Sequence, residues 1–350
     1  MTQTSARGSI GSVPDEPTTT PRVTERPVPL LSALQAPVRE RLDQVAEEIR
    51  RIVLSDFEMI EDVNEHLMLM RGKLLRPTLL LLSASVEGAP GDDAVTLAAV
   101  VELVHLATLV HDDAVDHSVL RRGLPTVNAL WTHQVAIIMG DYLYSRGVTE
   151  LTRLGNVDAL GVLARAANEM SIGEMRQLTS YDALDFTEAD YYRLIAAKTA
   201  SLMSAACEMG AIAGGGGHRE ALSTFGHNLG MAFQIADDLL DYTGSEEITG
   251  KPTGHDLREH KVTLPLVGAM RRAPVEDMRS IRAFFDDTES SEGAIEDLIG
   301  IVWRNGGLDY ARRCAARYAE RATEALAGLG SGPTIDALRA SIAYAVARDR

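Results

Sequence analysis

Two short runs of aspartate carry the densest chemistry in the chain: Asp112-Asp113-Ala114-Val115-Asp116 and Asp237-Asp238-Leu239-Leu240-Asp241. Each has the form DDxxD, and each sits late in a stretch that is otherwise apolar. In a helix of ~3.6 residues per turn, positions four apart share a face. Asp112 and Asp116 therefore point one way, and so do Asp237 and Asp241. Carboxylates stacked on one face repel, and withdrawing them from water costs several kcal/mol unless a cation compensates. The negative end of the helix dipole adds to that repulsion. All-oxygen donors suit magnesium, which keeps part of its water shell and is commonly completed by phosphate oxygens. A solvated acidic helix end would explain one such run. Two runs on two apolar helices predict the halves of a metal and diphosphate site.

Positive charge stands at defined places around them. Gly72-Lys73-Leu74-Leu75-Arg76-Pro77 puts Lys73 and Arg76 one turn apart at a predicted helix start, where backbone N–H groups also favour anions. Arg121 and Arg122 follow the first aspartate run, while Lys198, Lys251 and Lys261 stand near predicted helix ends or in the glycine-rich stretch after the second. His105 lies two helical turns before Asp112 and reaches the same cleft. Singly, each of these side chains reads as surface charge or as a core histidine. In company with the aspartates they outline an anion pocket. The four glycines at 214–217 lack the Gly-Lys-Ser/Thr ending and the preceding strand of a phosphate loop, so they read as a helix connection.

Such residues need long helices to hold them. From Leu30 onward, apolar positions recur at three- and four-residue steps, with breaks at 88–91, 123–125, 214–217, 250–254 and 330–333. The spacing predicts helices over 35–54, 58–69, 75–87, 94–117, 127–153, 157–179, 187–212, 219–242, 261–272, 275–286, 292–304, 307–328 and 333–347. Alternation of strand type is nearly absent. Segments 94–117 and 219–242, which carry the aspartate runs, are apolar on most faces, as central helices are. The expected fold is all-α, a single-domain helical bundle over 29–350. Residues 1–28, rich in Ser, Thr, Pro and Gly, are expected to form a disordered tail.

Composition agrees with a globular helical chain: 45% hydrophobic, 24% charged and only 5% aromatic. A formal net charge of −16 repels nucleic-acid phosphate and argues against a DNA or RNA partner. It leaves room for a local Lys and Arg cluster that inverts the field inside one cleft. Cys207 and Cys314, far apart in sequence, read as idle thiols in a reducing compartment. The N-terminus lacks the apolar run of a secretory signal. The longest apolar stretch, 95–110, is interrupted by Glu102 and His105, short of the ~18 uncharged residues of a membrane span. A cytoplasmic protein without a transmembrane segment is the expectation.

Taken in order, GKLLRP (72–77), ELVHLATLVHDDAVDHSVLRRGLPTVN (102–128), GDYLYSRG (140–147), GEMRQL (173–178), KTASL (198–202), FQIADDLLDYTG (233–244) and GKPTGHDLREHKVTLPL (250–266) are joint features. With them the chain resembles the trans-type polyprenyl diphosphate synthases of the isoprenoid synthase superfamily. The resemblance implies a prenyltransferase that condenses isopentenyl diphosphate with an allylic diphosphate in successive head-to-tail steps. It implies that Asp112 and Asp116 hold two of three magnesium ions on the allylic diphosphate, with Asp237 and Asp241 at the third. Arg121, Lys198 and Lys261, helped by Lys251, would grip that diphosphate. Isopentenyl diphosphate would occupy the pocket of Lys73, Arg76, His105 and Arg122. Asp112, Asp116, Lys198 and Asp237 form the implied catalytic set, and Thr199 and Gln234 would offer oxygens to an allylic cation. Segment 243–263 resembles a lid, and a homodimer is implied.

Ala107 and Thr108 stand five and four residues before Asp112, where aromatic side chains stop growth in short-chain members of the family. Both are small here, which predicts a long product of about seven to ten isoprene units. A geranylgeranyl or farnesyl product is the alternative, with Ile138, Met139 and Tyr142 as other candidate floors. Arg71 departs from the second glycine that often precedes GK. The full sets of aspartates and cations argue against a non-catalytic subunit of a heteromeric synthase. Lys73, Arg76 and His105 argue against a terpene cyclase, which has no use for an isopentenyl diphosphate pocket.

Overall fold

In the computed structural model, which describes residues 30–70, 72–88, 90–179, 183–244, 253–287 and 291–347, helices form where their ends are chemically marked. The expected tail over 1–28, Arg71 and Lys251 lie outside the described residues. The 35–54 helix divides into α1 (Leu31–Gln35) and α2 (Arg39–Val53), because Pro37 enters a 3-10 turn over Ala36–Val38. α3 (Glu58–Leu69) and α4 (Leu75–Ala84) follow. α5 (Asp92–Val115) begins behind Gly91 with Asp92 and Asp93 in its first turn, where carboxylates suit the positive helix end.

The helix expected over 127–153 breaks at Trp131. α6 (Val127–Leu130) stops there, and α7 (His133–Leu154) starts behind Thr132, whose hydroxyl accepts from the Val135 N–H. α8 (Val157–Thr179) leads to α9 (Glu188–Ile195), which opens with a reciprocal capping box: Thr187 Oγ1 accepts from the Asp190 N–H and Asp190 Oδ2 from the Thr187 N–H. The expected 187–212 helix is also interrupted, by a π-turn over Ala196–Ala200 that joins α9 to α10 (Ser201–Gly214). α11 (Arg219–Thr243) is followed by α12 (His255–Arg258), α13 (Leu264–Met270), α14 (Val275–Asp286), α15 (Glu292–Arg304), α16 (Gly307–Ala325) and α17 (Pro333–Val346).

A small hairpin interrupts this helical order. β1 (Leu120–Arg121) pairs antiparallel with β2 (Leu124–Pro125), Leu120 opposite Pro125 and Arg121 opposite Leu124. Arg122 and Gly123 make the two-residue turn, both left-handed at φ 53° and 77°. Two-residue strands leave no alternation to read, which is why the sequence pattern does not announce them.

Two apolar clusters fix the helices that carry aspartate. The first gathers Leu80, Leu97, Leu103, Leu143 and Met209; the second gathers Tyr191, Ile235, Leu266, Ile301 and Leu308. α11 serves both, with Leu222, Phe225 and Leu229 in the first and Met231, Ile235, Leu239 and Tyr242 in the second. Full burial of each such side chain contributes roughly 1.5–3 kcal/mol. α5 packs on α2, α4, α7 and α10, while α11 lies along α10 and α16. By length and hydropathy α5 is long and apolar enough to cross a membrane despite Glu102 and His105; in the fold, 61% of its most apolar window is buried. The late residues of α5 and α11 thus face each other from rigid mounts.

Candidate active site

Asp112 of α5 and Asp237 of α11 line one cavity of about 630 Å³. Lys73, Arg76, His105, Thr108, Arg121, Arg122, Lys198, Thr199 and Gln234 line it with them. Asp116 and Lys261 line an adjoining cavity of about 1130 Å³, and Lys198, Thr199 and Gln234 form the ridge common to both. Asp241 lines neither. Its Oδ1 accepts from the His255 N–H at 3.0 Å and its Oδ2 from the Asp256 N–H at 3.1 Å, so it anchors the start of α12.

The cationic wall is assembled by backbone turns. Leu74 is left-handed at φ 50° ahead of α4, and Gln35 Nε2 steadies that turn by donating to the Lys73 carbonyl at 3.0 Å. Register in the hairpin sends adjacent arginines to different partners. Arg121 Nε donates to Asp113 Oδ2 at 2.8 Å, and Arg122 Nη1 donates to the Met70 carbonyl at 2.8 Å. Arg122 crosses Gly72, where a Cβ would stand 3.1 Å from Nη1, so a larger residue before Lys73 would press on the guanidinium and shift it slightly. Gly140 is held more strictly, because the His111 ring occupies the space a Cβ would take.

Glu102, one turn before His105, sits among these cations. Burial pushes its carboxyl pKa up, opposed by Arg76 and Arg122. Burial also works against the Arg76 charge, which Glu102 supports, and the buried Arg76 Nε has no hydrogen-bond partner among the described residues. His105 is driven well below the usual histidine range by burial and then by Arg76, Arg122 and Arg121. A neutral imidazole beside an unmatched guanidinium N–H is ready to donate to an anion.

The carboxylate wall needs positive charge. Burial raises the Asp112 pKa, with Glu174 and Asp116 adding to the rise and Lys198 and Arg121 opposing it. Asp256 is pushed up to about 7 by burial, with Asp241 and Glu259 adding and Lys261 opposing. Burial disfavours the Lys261 charge, but Glu259, Asp116 and Asp256 outweigh it. Among the described residues, no three His, Cys, Asp or Glu side chains form a cage able to hold a metal ion alone. A divalent cation fits here as a hard ion shared between a few carboxylates and phosphate oxygens from outside the protein. Glu174 pairs with Lys198, whose Nζ also donates to Gln177 Oε1 at 3.1 Å. Glu102, Glu174 and Asp256 fall within motif segments already recognised in the sequence, yet no spacing rule marks them out.

The ridge is a chain of hydrogen bonds. Thr199 Oγ1 donates to Gln234 Oε1 at 2.7 Å, Gln234 Nε2 donates to Asp238 Oδ1 at 2.8 Å, and the Tyr191 hydroxyl donates to Asp238 Oδ2. Burial and then Asp256 push the Asp238 pKa well up, against Tyr191 and Gln234. Thr108 faces the cavity, but Ala107 is 3% exposed and packs into the core. Ile138 is exposed, Met139 is buried in the core and the Tyr142 hydroxyl donates to the Val53 carbonyl; none of the three lines either cavity. Their place in the apolar wall is taken by Leu109, Met170, Leu202 and Phe233.

A family model described as Polyprenyl synthetase matches residues 57–302. The chain is 36% identical over 321 residues to heptaprenyl diphosphate synthase component 2 of Geobacillus stearothermophilus, covering 91% of this chain and 99% of that protein. It is 39% identical over 293 residues to the geranyl-diphosphate-specific all-trans-nonaprenyl-diphosphate synthase of Rhodobacter capsulatus, 83% of this chain and 90% of that one. Its fold superposes with a TM-score of 0.87 on the polyprenyl synthase of Caulobacter crescentus CB15 complexed with calcium and isoprenyl diphosphate. That pair is 36% identical and covers 93% of this chain and 100% of the other.

Proposed function

The chain belongs to the polyprenyl synthetase family, and on that premise we propose that it is a prenyltransferase joining isopentenyl diphosphate to an allylic diphosphate in successive head-to-tail steps. The product is a long all-trans polyprenyl diphosphate. One observation carries this reading: aspartates from two separate helices line a single cavity together with Lys73, Arg76, His105, Arg121, Arg122 and Lys198.

Divalent cations, magnesium by the oxygen donor set and three in number, would be held by Asp112, Asp116 and Asp237 and would neutralise the allylic diphosphate. Lys198, Arg121 and Lys261, with Lys251 as a further candidate, bind the same group and stabilise its departure as the C–O bond breaks. Lys73, Arg76, Arg122 and neutral His105 bind the second diphosphate, that of isopentenyl diphosphate. Thr199 and Gln234 offer oxygens to the resulting allylic cation. The isopentenyl double bond forms the new C–C bond, and a proton leaves to the released diphosphate. Asp241 serves by ordering the chain next to Asp256. Small Thr108 in the cavity wall supports a long product of about seven to ten isoprene units.

The test uses the purified chain with magnesium, labelled isopentenyl diphosphate and geranyl, farnesyl or geranylgeranyl diphosphate, the products being sized after dephosphorylation. Long polyprenols are expected. Products that stop at farnesyl length would overturn the long-chain reading, and no incorporation would overturn catalysis by this chain alone. Similarity to a protein named as a component favours one second reading, the catalytic subunit of a two-chain synthase; activity appearing only with a second type of chain would support it. A homodimer is supported by exposed apolar side chains on α7 (Ile137, Ile138, Tyr144) and α8 (Ile172, Met175), and light scattering on the purified chain checks it.

A further inference from the structure

Asp238, the middle residue of the second aspartate run, is not among the residues assigned to metal or substrate. It is 7% exposed and both its oxygens are engaged, Oδ1 by Gln234 and Oδ2 by Tyr191. We propose that Asp238, held by Tyr191, is a positioning residue that fixes the Gln234 amide with its oxygen, not its hydrogens, on the side of Thr199 and the ridge. The proposal rests on the prenyltransferase reading above, in which that ridge meets a carbocation.

A primary amide is ambiguous in shape. Its two ends are nearly identical in size but opposite in polarity, so only the chemistry of its partners decides which end faces where. A cation beside Oε1 is stabilised, and one beside Nε2 is repelled. Asp238 removes the ambiguity because its Oδ1, 2.8 Å from Gln234 Nε2, accepts a hydrogen bond. At the other end the Thr199 hydroxyl donates to Oε1 at 2.7 Å, which turns the Thr199 proton toward Gln234 and leaves that hydroxyl's lone pairs for the cavity. Tyr191 is 1% exposed and packs in the second apolar cluster, so the far end of the chain is rigid.

The orientation survives a change of charge. An ionised Asp238 accepts from both neighbours. A neutral Asp238 carries its proton on Oδ2 and donates it to the Tyr191 oxygen, while Oδ1 still accepts from Gln234. Tyrosine permits this because its hydroxyl both donates and accepts.

The experiment compares wild type, Asp238→Asn and Tyr191→Phe, each with magnesium. Two measurements are made: steady-state kinetics, and affinity for two unreactive ligands. One ligand is an allylic ammonium analogue with inorganic pyrophosphate, which carries charge where the carbocation forms. The other is an allylic thiolodiphosphate with an uncharged tail. Asp238→Asn presents an N–H that can reverse the amide, and is expected to lower kcat about 10- to 100-fold with both KM values within about threefold of wild type. Its affinity for the ammonium analogue falls about tenfold, while the thiolodiphosphate binds as before. Tyr191→Phe, which deletes one buried hydroxyl and keeps the ring packed, shows the same selective pattern at smaller size. An unchanged kcat in Asp238→Asn overturns the proposal, and so does equal weakening of both ligands. Failure of wild type to use isopentenyl diphosphate sinks the prenyltransferase reading instead.

Discussion

The two aspartate runs share a pattern and diverge in use. Asp112, Asp113 and Asp116 close α5, and the chain then leaves through β1 and β2; Asp116 lines the larger cavity. Asp237, Asp238 and Asp241 stand just before the end of α11, and the chain returns to them as α12, whose first N–H groups take both oxygens of Asp241. The middle aspartates diverge as well. Asp113 holds a guanidinium, a group that serves anion binding, whereas Asp238 holds a neutral amide. Spacing on a helix decides which side chains share a face. The chain that follows decides which of them stay available to a ligand.

That contrast can be broken by substitution. Asp112→Asn is expected to lower kcat/KM by about 10³-fold and Asp237→Asn by about 10²-fold, because the first run offers Asp112 and Asp116 to a cation, whereas in the second both oxygens of the cavity-lining Asp238 are taken up by Gln234 and Tyr191 and Asp237 serves alone. Initial rates at saturating magnesium check the ranking, and an equal or larger loss in Asp237→Asn would reverse it. Asp113→Asn keeps the shape but weakens the hold on Arg121; KM for the allylic diphosphate should rise about tenfold, with KM for isopentenyl diphosphate unchanged. Asp241→Asn should leave kcat within about threefold and cost about 1 kcal/mol of stability as the α12 N–H groups lose an acceptor, read as a drop in Tm. A loss of kcat matching that of Asp237→Asn would show Asp241 acting as a ligand and erase the difference between the runs.

A separate effect is expected on stability against pH. Asp256 is raised from 3.8 to about 7, so between those values the folded chain holds a proton that the unfolded chain releases. Its contribution is greatest below the ordinary carboxylate range and is lost as pH rises through about 7; Asp112, also raised, acts in the same direction. Without divalent metal, Tm should fall between pH 5 and pH 8, and magnesium with inorganic pyrophosphate should restore more of it at pH 8. Scanning calorimetry at both pH values measures this, and a metal-free Tm that climbed with pH would contradict the burial of these groups.

Much of this was legible in the chain. Helices over 58–69, 157–179, 275–286 and 292–304 end where the apolar period and its flanking residues predict. His105 meets Asp112 because helix pitch puts the two on one side of α5; Lys73, Arg76 and Arg122 join them where the family resemblance implies, brought there by the turns at Leu74 and in the hairpin. The capture of Asp241 was not legible, since it depends on a return of the chain fourteen and fifteen residues later. Neither was the apolar wall: Met170, Leu202 and Phe233 look in sequence like any other side chains of the first cluster, and only their place on the cavity wall sets them apart. The π-turn escaped for a related reason, because one added residue hardly disturbs a hydrophobic period.

That turn has a consequence for length. One residue of helix corresponds to about 100° of rotation, so the surplus at Ala196–Ala200 sets the angular phase between α9 and α10. Tyr191 and Ile195 stay seated in one cluster while Leu202, Ala206 and Cys207 mesh with the other, and Lys198 and Thr199 swing out between them. Deleting a single residue there would straighten the helix and leave one set of knobs out of gear. Side chains along this stretch that only pack can be exchanged one for another, but the number of links in the chain cannot change.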